Sequence, residues 1–96
     1  MYILASGIHG TLYIGVTSNL ASRIEQHETK SISGFTSKYN VTRLVWSEEF
    51  EDMPTAIQRE KTMKKWLRAW KIELIEKTNP HWHRLDADSG EFIYDE

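Results

Sequence analysis

The 96-residue chain has no cysteine, which excludes a disulfide framework and zinc sites built on thiolates. It also lacks any apolar run near the roughly 20 residues that a membrane-spanning helix needs. No basic, apolar leader of the secretory kind stands at the N-terminus. Ninety-six residues leave no room for a second core. We therefore expect one small, soluble, cytoplasmic domain.

A net positive charge is also absent. The formal charge of −2 at pH 7 argues mildly against nucleic acid, because strong nucleic-acid binders are usually basic. The charges are segregated, however, with acidic residues gathered in 48–52 and 86–96. A basic segment attracts phosphate locally, although such a cluster is more often a solvated helix face. The basic segment contains Arg59, Lys61, Lys64, Lys65, Arg68 and Lys71.

Hydrophobic residues make up 40% of the chain, enough for a modest core. Residues 1–6 and 11–16 predict two strands, joined by a glycine-containing hairpin turn. Side chains alternate along a strand, so Tyr13 and Gly15 share one face, and we expect Gly15 to leave open space beside Tyr13. The opposite face carries Leu12, Ile14 and Val16.

Ser18 or Asn19 can cap a first helix that runs to about residue 29. Residues 30–40 are rich in Ser, Thr, Gly and Lys and indicate a loop, and residues 41–50 predict a third strand. Residues three and four apart share a helix face. One side of the helix therefore carries Leu20, Arg23, Ile24 and His27.

Pro54 suits the first turn of a second helix. A break near residues 68–69 predicts a further helix over about 70–77, which Pro80 ends. From His81 onward the chain is typical of a tail, with a short edge strand at 92–94. The apolar stripe of the second helix is predicted to contain Ala56, Met63, Leu67, Trp70 and Leu74. The order β-β-α-β-α-α predicts an α/β fold, a small three-stranded, mostly antiparallel sheet flanked by helices.

Glu60 is the strongest single anomaly, because helical periodicity places it within the arc of apolar residues. A carboxylate that faces a core is costly unless it is paired or bound to a metal ion. The common explanation is a salt bridge to Lys64 at i+4. The alternative is a metal site, since Mg²⁺ is often held by one carboxylate with waters and a substrate phosphate.

Four other residues have candidate chemistry, each with an ordinary structural alternative. Arg23 can grip phosphate through its planar guanidinium, and His27 can exchange a proton near neutral pH. Tyr2 and Tyr13 lie in neighbouring predicted strands. A tyrosine near a cation can act as a general base. Tyrosine is also a favoured strand residue, so each signal is weak by itself.

Other candidates concern nucleic-acid binding. Lys38 and Tyr39, with the basic segment, are candidates for contacts to the phosphate backbone. Trp66 and Trp70 are four apart and suited to stacking on a base. Packing in the core is the commoner role of such a pair.

In this order, the motifs make the chain resemble the GIY-YIG nuclease superfamily, most closely its small stand-alone bacterial members. The resemblance covers about residues 1–85. The first motif departs from the pattern, since only Tyr2 remains and Met1 stands where Ile or Val is usual. The other matching segments are Tyr13-Ile14-Gly15, the run to Arg23, His27, residues 35–40, Arg59-Glu60-Lys61 and Asn79-Pro80.

The resemblance implies a metal-dependent endonuclease that hydrolyses phosphodiester bonds in nucleic acid, with DNA repair or processing as the expected role. It assigns Glu60 to one Mg²⁺ or Mn²⁺ ion and Arg23 to the charge of the transition state. Tyr13 would deprotonate the attacking water, passing its proton toward His27 or solvent, and Tyr2 would position the water or the phosphate. Implied substrate contacts are Gly15, Lys38, Tyr39, Lys64 and Asn79.

Two alternatives stay open at the level of sequence. A nucleic-acid-binding module with little or no cleavage activity fits the small size and the acidic balance. A protein-interaction adaptor is disfavoured by the retained set of site residues. We expect a domain over 1–85 and an acidic tail over 86–96, which would inhibit binding if it folded over the basic segment. DNA or RNA preference, a protein partner that supplies selectivity, and the oligomeric state are not determined by the sequence.

Overall fold

The computed structural model describes residues 1–29, 34 and 38–93. Within them the elements follow the predicted order, with a small hairpin added at the end. We number them β1 and β2, α1, β3, α2, α3, β4 and β5. Their bounds are Tyr2–Ala5, Leu12–Gly15, Leu20–Glu28, Arg43–Ser47, Met53–Lys64, Arg68–Thr78, Arg84–Leu85 and Phe92–Ile93. The α/β fold and the antiparallel sheet are confirmed.

The main sheet has the strand order β2-β1-β3, and both pairings are antiparallel. Tyr2 lies opposite Gly15 in the register of β1 and β2. The pairing of β1 with β3 shifts between Ile3 and Leu4, so that Val45 is skipped. Such a bulge puts one extra residue on the outer strand and increases the local twist.

The sheet separates two clusters of buried side chains, as the alternation of β1 requires. Tyr2 and Leu4 pack on the α1 side with Ile24 of that helix. Ile3 packs on the other side with Met63 of α2 and with side chains of α3 and the C-terminal segment. The predicted division of β2 is confirmed. Tyr13 packs on the α1 side of the sheet, and the opposite side contains Leu12, Ile14 and Val16.

The helix caps explain where α1 and α2 begin. Asn19 is the N-cap of α1, and its side chain accepts a hydrogen bond from the backbone N–H of Ser22. Asp52 caps α2 in the same way through Thr55, and Pro54 lies in the first turn as predicted. Burial is not needed for either cap, which is why local sequence located both helices well.

The predicted apolar stripe of the second helix is wrong beyond Met63. Ala56 and Met63 are buried, but α2 ends at Lys64 and the chain turns before α3. The break therefore lies about three residues earlier than predicted. Leu67 becomes the N-cap of α3 and is 62% exposed, and Trp70 is 52% exposed.

The tail-like interpretation of the segment from His81 is also wrong. Trp82 is fully buried in the cluster under α2 and α3, and β4 pairs with β5 across the predicted boundary at 85. Leu85 and Ala87 pack against the α1-side cluster. The start of the acidic segment thus packs on the α1 side of the sheet, and its inhibitory role stays a prediction. Within the described residues, no helix is long and apolar enough to cross a membrane.

Candidate active site

Three aromatic side chains from β1, β2 and α1 form one cluster on the α1 side of the sheet. The Tyr2 ring lies 6.3 Å from that of Tyr13 and 5.9 Å from that of His27, measured between centroids. The Tyr13 and His27 rings are 5.6 Å apart. The fold therefore brings together three residues that span 25 positions of the sequence, from Tyr2 to His27. Their cluster lies beside the edge strand β2.

Gly15 makes room for this cluster. A Cβ atom added to Gly15 would lie 2.5 Å from Cζ of Tyr2, well inside van der Waals contact. The space that we expected beside Tyr13 is therefore filled by the ring of Tyr2, which pairs with Gly15 across the strands. Gly15 is itself buried, and its predicted contact with substrate stays a prediction.

Two members of the cluster share a hydrogen bond, and burial shifts the pKa of each toward its neutral form. The Tyr2 hydroxyl and His27 Nε2 are 3.1 Å apart and buried. Burial, and then Tyr13, raise the pKa of Tyr2, whereas Arg23 opposes that rise. Burial and then Arg23 lower the pKa of His27. Near neutral pH, Tyr2 is therefore the donor and His27 the acceptor.

Arg23 and Glu60 lie within electrostatic range of the same cluster. Arg23 acts on the pKa of both Tyr2 and His27, and Glu60 also acts on that of Tyr2. Arg23 is half-buried on α1, one turn before His27. Glu60 comes from α2, which packs beside the edge strand β2. Three of the five predicted catalytic residues thus form one aromatic cluster, and Arg23 and Glu60 act on it through their charges.

Glu60 has the partner that the simplest interpretation of its position predicted. Its Oε1 lies 2.9 Å from Nζ of Lys64, one helical turn later, and its side chain is 18% exposed. The described residues contain no group of three His, Asp or Glu side chains that could form a metal cage. A single carboxylate suits a hard cation such as Mg²⁺, which keeps several waters and takes further oxygen ligands from a phosphate.

Asn79 has a structural role in this fold. Its buried Nδ2 donates to the carbonyls of Val45 at 3.1 Å and His83 at 2.8 Å, and its Oδ1 accepts from the His83 amide at 2.9 Å. Val45 is the residue skipped at the bulge. Asn79 therefore ties the C-terminal segment to β3, and its predicted substrate contact stays a prediction.

The remaining predicted substrate residues lie on the surface. Lys38 and Tyr39 are exposed, and Nζ of Lys38 lies 5.5 Å from the Tyr39 ring centroid. Their relation to substrate stays a prediction, as does that of Lys64. Of the loop segment 35–40 that matched the nuclease superfamily, residues 35–37 lie outside the described residues.

A groove of about 470 Å³ opens at the end of the sheet where β1 begins and β3 ends. Its lining is strongly acidic, including Glu48, Glu51, Asp52 and Asp88. Carboxylates repel phosphate, so this groove is unsuited to a nucleic-acid backbone. The aromatic cluster, with Arg23 beside it, is the better candidate.

Comparison with known proteins agrees with this arrangement. The profile of the GIY-YIG catalytic domain, a nuclease-type domain, matches residues 1–73. That range contains the aromatic cluster, Arg23 and Glu60. No solved structure matches the chain significantly.

Relatives of similar size are UPF0213 proteins. One from Natronomonas pharaonis is 34% identical over 65 residues, covering 68% of this chain and 76% of the relative. One from Syntrophus aciditrophicus is 35% identical over 71 residues, covering 73% and 80%. One from Streptococcus sanguinis is 30% identical over 77 residues, covering 80% and 87%. On these matches and this site geometry, the chain belongs to the GIY-YIG catalytic domain family.

Proposed function

We propose that this protein is a metal-dependent endonuclease that hydrolyses phosphodiester bonds in DNA. The observation that carries the proposal is the cluster of Tyr2, Tyr13 and His27 at the edge of the sheet, with Arg23 and Glu60 in electrostatic range. An arginine and a carboxylate beside proton-exchanging side chains are the groups that phosphodiester hydrolysis requires.

The two tyrosines have different roles. The raised pKa of Tyr2 keeps its hydroxyl protonated, and the hydrogen bond to His27 holds it in place. Tyr2 therefore orients the attacking water or a phosphate oxygen. Tyr13 is half-buried at the same edge. Once its phenolic proton has passed to solvent, the Tyr13 oxygen acts as the general base and takes a proton from the attacking water. His27, held neutral by burial, supports Tyr2 as a hydrogen-bond acceptor.

Charge stabilisation comes from Arg23 and Glu60. The guanidinium of Arg23 faces the charge that develops on the phosphoryl oxygens. Glu60 would hold one Mg²⁺ or Mn²⁺ ion, which when bound supplies Lewis-acid stabilisation of the phosphate and the leaving oxygen. Lys64, 54% exposed, neutralises the free Glu60 carboxylate and can turn toward a phosphate when that carboxylate is engaged.

We also propose a cytoplasmic location and a role in DNA repair or processing, both of which fit a small nuclease domain. So small a domain offers limited surface for choosing a substrate, which favours a protein partner that supplies selectivity. The aromatic cluster and Glu60 determine which type of bond is cleaved. Such a partner would determine the position in the nucleic acid at which cleavage occurs.

The test is cleavage of a panel of end-labelled DNAs and RNAs: single-stranded, duplex, nicked, flapped and branched. Wild type and Glu60→Gln are compared in Mg²⁺, in Mn²⁺ and with a chelator. Gln keeps the size of Glu60 but removes its charge. We expect cuts by wild type that need the metal and that fall by at least about 10²-fold in the variant.

Glu73→Gln is the matched control, since it makes the same exchange at an exposed glutamate outside the proposed site. Its cleavage should stay close to that of wild type. Binding without cleavage by wild type would support the nucleic-acid-binding module instead. Equal cleavage by wild type and Glu60→Gln would contradict the role of Glu60.

A further inference from the structure

Trp70 is a large apolar side chain that the fold leaves in solvent. It lies in the first turn of α3 and is 52% exposed, and the preceding Leu67 is 62% exposed. Exposed tryptophan is uncommon on a surface without a binding role, because its ring would be stabilised by burial. The side chain therefore needs an explanation that core packing does not supply.

The Trp70 ring is held in place from one side. Trp66 packs against the core and meets Trp70 edge to face, with centroids 6.3 Å apart and planes at 76°. The guanidinium of Arg59 lies 5.0 Å from the Trp66 ring centroid. An edge-to-face support leaves a ring face of Trp70 available, and a fixed ring loses little entropy when it binds a ligand.

Several basic residues adjoin this aromatic pair in the sequence, and Glu73, one helical turn after Trp70, is the nearest acidic residue. Lys65 and Lys61 are exposed near the end of α2, and Lys71 follows Trp70. Arg68 has another role, since its guanidinium donates to the carbonyls of His9 and Gly10 in the β1–β2 turn. That contact anchors the start of α3 and thereby fixes Trp70. Flat aromatic surface interleaved with lysine is the chemistry that recognises unpaired nucleic acid.

The aromatic pair lies close to the candidate active site along the chain. Glu60 and Lys64 are one turn apart on α2, ~6 Å along the helix axis, and Trp66 follows two residues after the helix ends. Successive nucleotides of one strand advance by ~3.4 Å in stacked form. A strand with its phosphate at Glu60 therefore reaches the aromatic pair within a few nucleotides.

We propose that Trp70, supported by Trp66 and flanked by Lys61, Lys65 and Lys71, is a stacking site for an unpaired base of the nucleic acid. The inference rests on the proposed function and narrows it, because a base can stack on Trp70 only where it is not paired. Single strands, flaps and frayed ends would bind here, and a continuous duplex would not.

The test measures binding of the full chain to fluorescently labelled single-stranded DNA by anisotropy, in the presence of a chelator so that the strand stays intact. Trp70→Ala should weaken binding by about fivefold to one-hundredfold. Trp70→Phe retains an aromatic face and should restore most of the affinity. An abasic strand of equal length and charge should bind wild type and Trp70→Ala equally. A matching RNA strand establishes whether the site distinguishes the two sugars.

Circular dichroism of Trp70→Ala should match wild type, since the side chain is exposed. Equal affinity of wild type and Trp70→Ala for the single strand would overturn the stacking site. An equal loss on the abasic strand would do the same. If wild type still cleaves duplex DNA in either case, the proposed function stands alone. If wild type neither binds nor cleaves any oligonucleotide, both fail.

Discussion

Tyr2 and Tyr13 are identical side chains that the fold places in different environments. Tyr2 is buried and bonded to His27, with a raised pKa, whereas Tyr13 is half-buried on the edge strand. The residues alone indicated both as candidates, and the resemblance to the nuclease superfamily implied Tyr13 as the base. The structure adds the raised pKa of Tyr2, which depends on burial and neighbouring groups that the sequence does not reveal.

Substitution of Gly15 tests whether the Tyr2 ring needs the space that a glycine leaves. In Gly15→Ala the new methyl group would overlap the ring at Cζ, so Tyr2 must move away from His27. We expect a loss of about 1–3 kcal/mol in the free energy of unfolding, measured with urea. Gly7→Ala is the control, since a Cβ there has no neighbour within 4 Å. Wild-type stability in Gly15→Ala would show that the cluster tolerates the shift.

Acidification should destabilise the protein through His27. The folded state lowers the pKa of His27 from its ordinary value of 6.5, so the unfolded chain takes up that proton first as the pH falls. Stability is therefore lost below about pH 6.5, down to the folded-state pKa. His27→Gln can still accept from Tyr2 but does not titrate. The difference in unfolding free energy between wild type and variant should shrink from pH 7 to pH 5, and parallel curves would contradict this.

Among the helices and strands, the sequence predicted well those features that depend on neighbouring residues in the chain. The cap at Asn19, the place of Pro54 in the first turn of α2 and the alternation along β2 were all visible in the sequence. Trp82 was not, because its burial depends on contacts with distant elements and its backbone has a φ of 58°, which bulky residues rarely adopt. The exposed Leu67 and Trp70 were missed because periodicity continued past the true end of α2.

Asn79 joins the C-terminal segment to the sheet, so its removal should act on the whole domain. Asn79→Ala leaves the carbonyl of Val45 and both backbone groups of His83 without this partner. We expect a loss of about 2–4 kcal/mol in unfolding free energy. Thr78→Ala, at an exposed neighbouring position, is the control for loss of helix-end contacts. A loss of unfolding free energy below about 1 kcal/mol in Asn79→Ala would contradict this role of Asn79 in joining the C-terminal segment to the sheet.

At the scale of the whole molecule, charge segregation matters more than the net charge of −2. The acidic groove lies at one end of the sheet, and the basic residues follow Glu60 along α2. The inhibitory role of the acidic segment stays a prediction. The start of that segment is held beside α1 by the apolar side chains of Leu85 and Ala87 and by the ion pair of Arg84 with Glu28.

We propose that the aromatic cluster is a catalytic centre with Tyr13 as its base. The direct test is single-turnover cleavage of the best substrate by wild type, Tyr13→Phe and Tyr2→Phe, with binding measured in parallel. We expect the cleavage rate to fall by about 10²- to 10⁴-fold for Tyr13→Phe, with its affinity for the substrate unchanged. The fall in rate for Tyr2→Phe should be smaller. Cleavage by Tyr13→Phe within a few fold of wild type would contradict it.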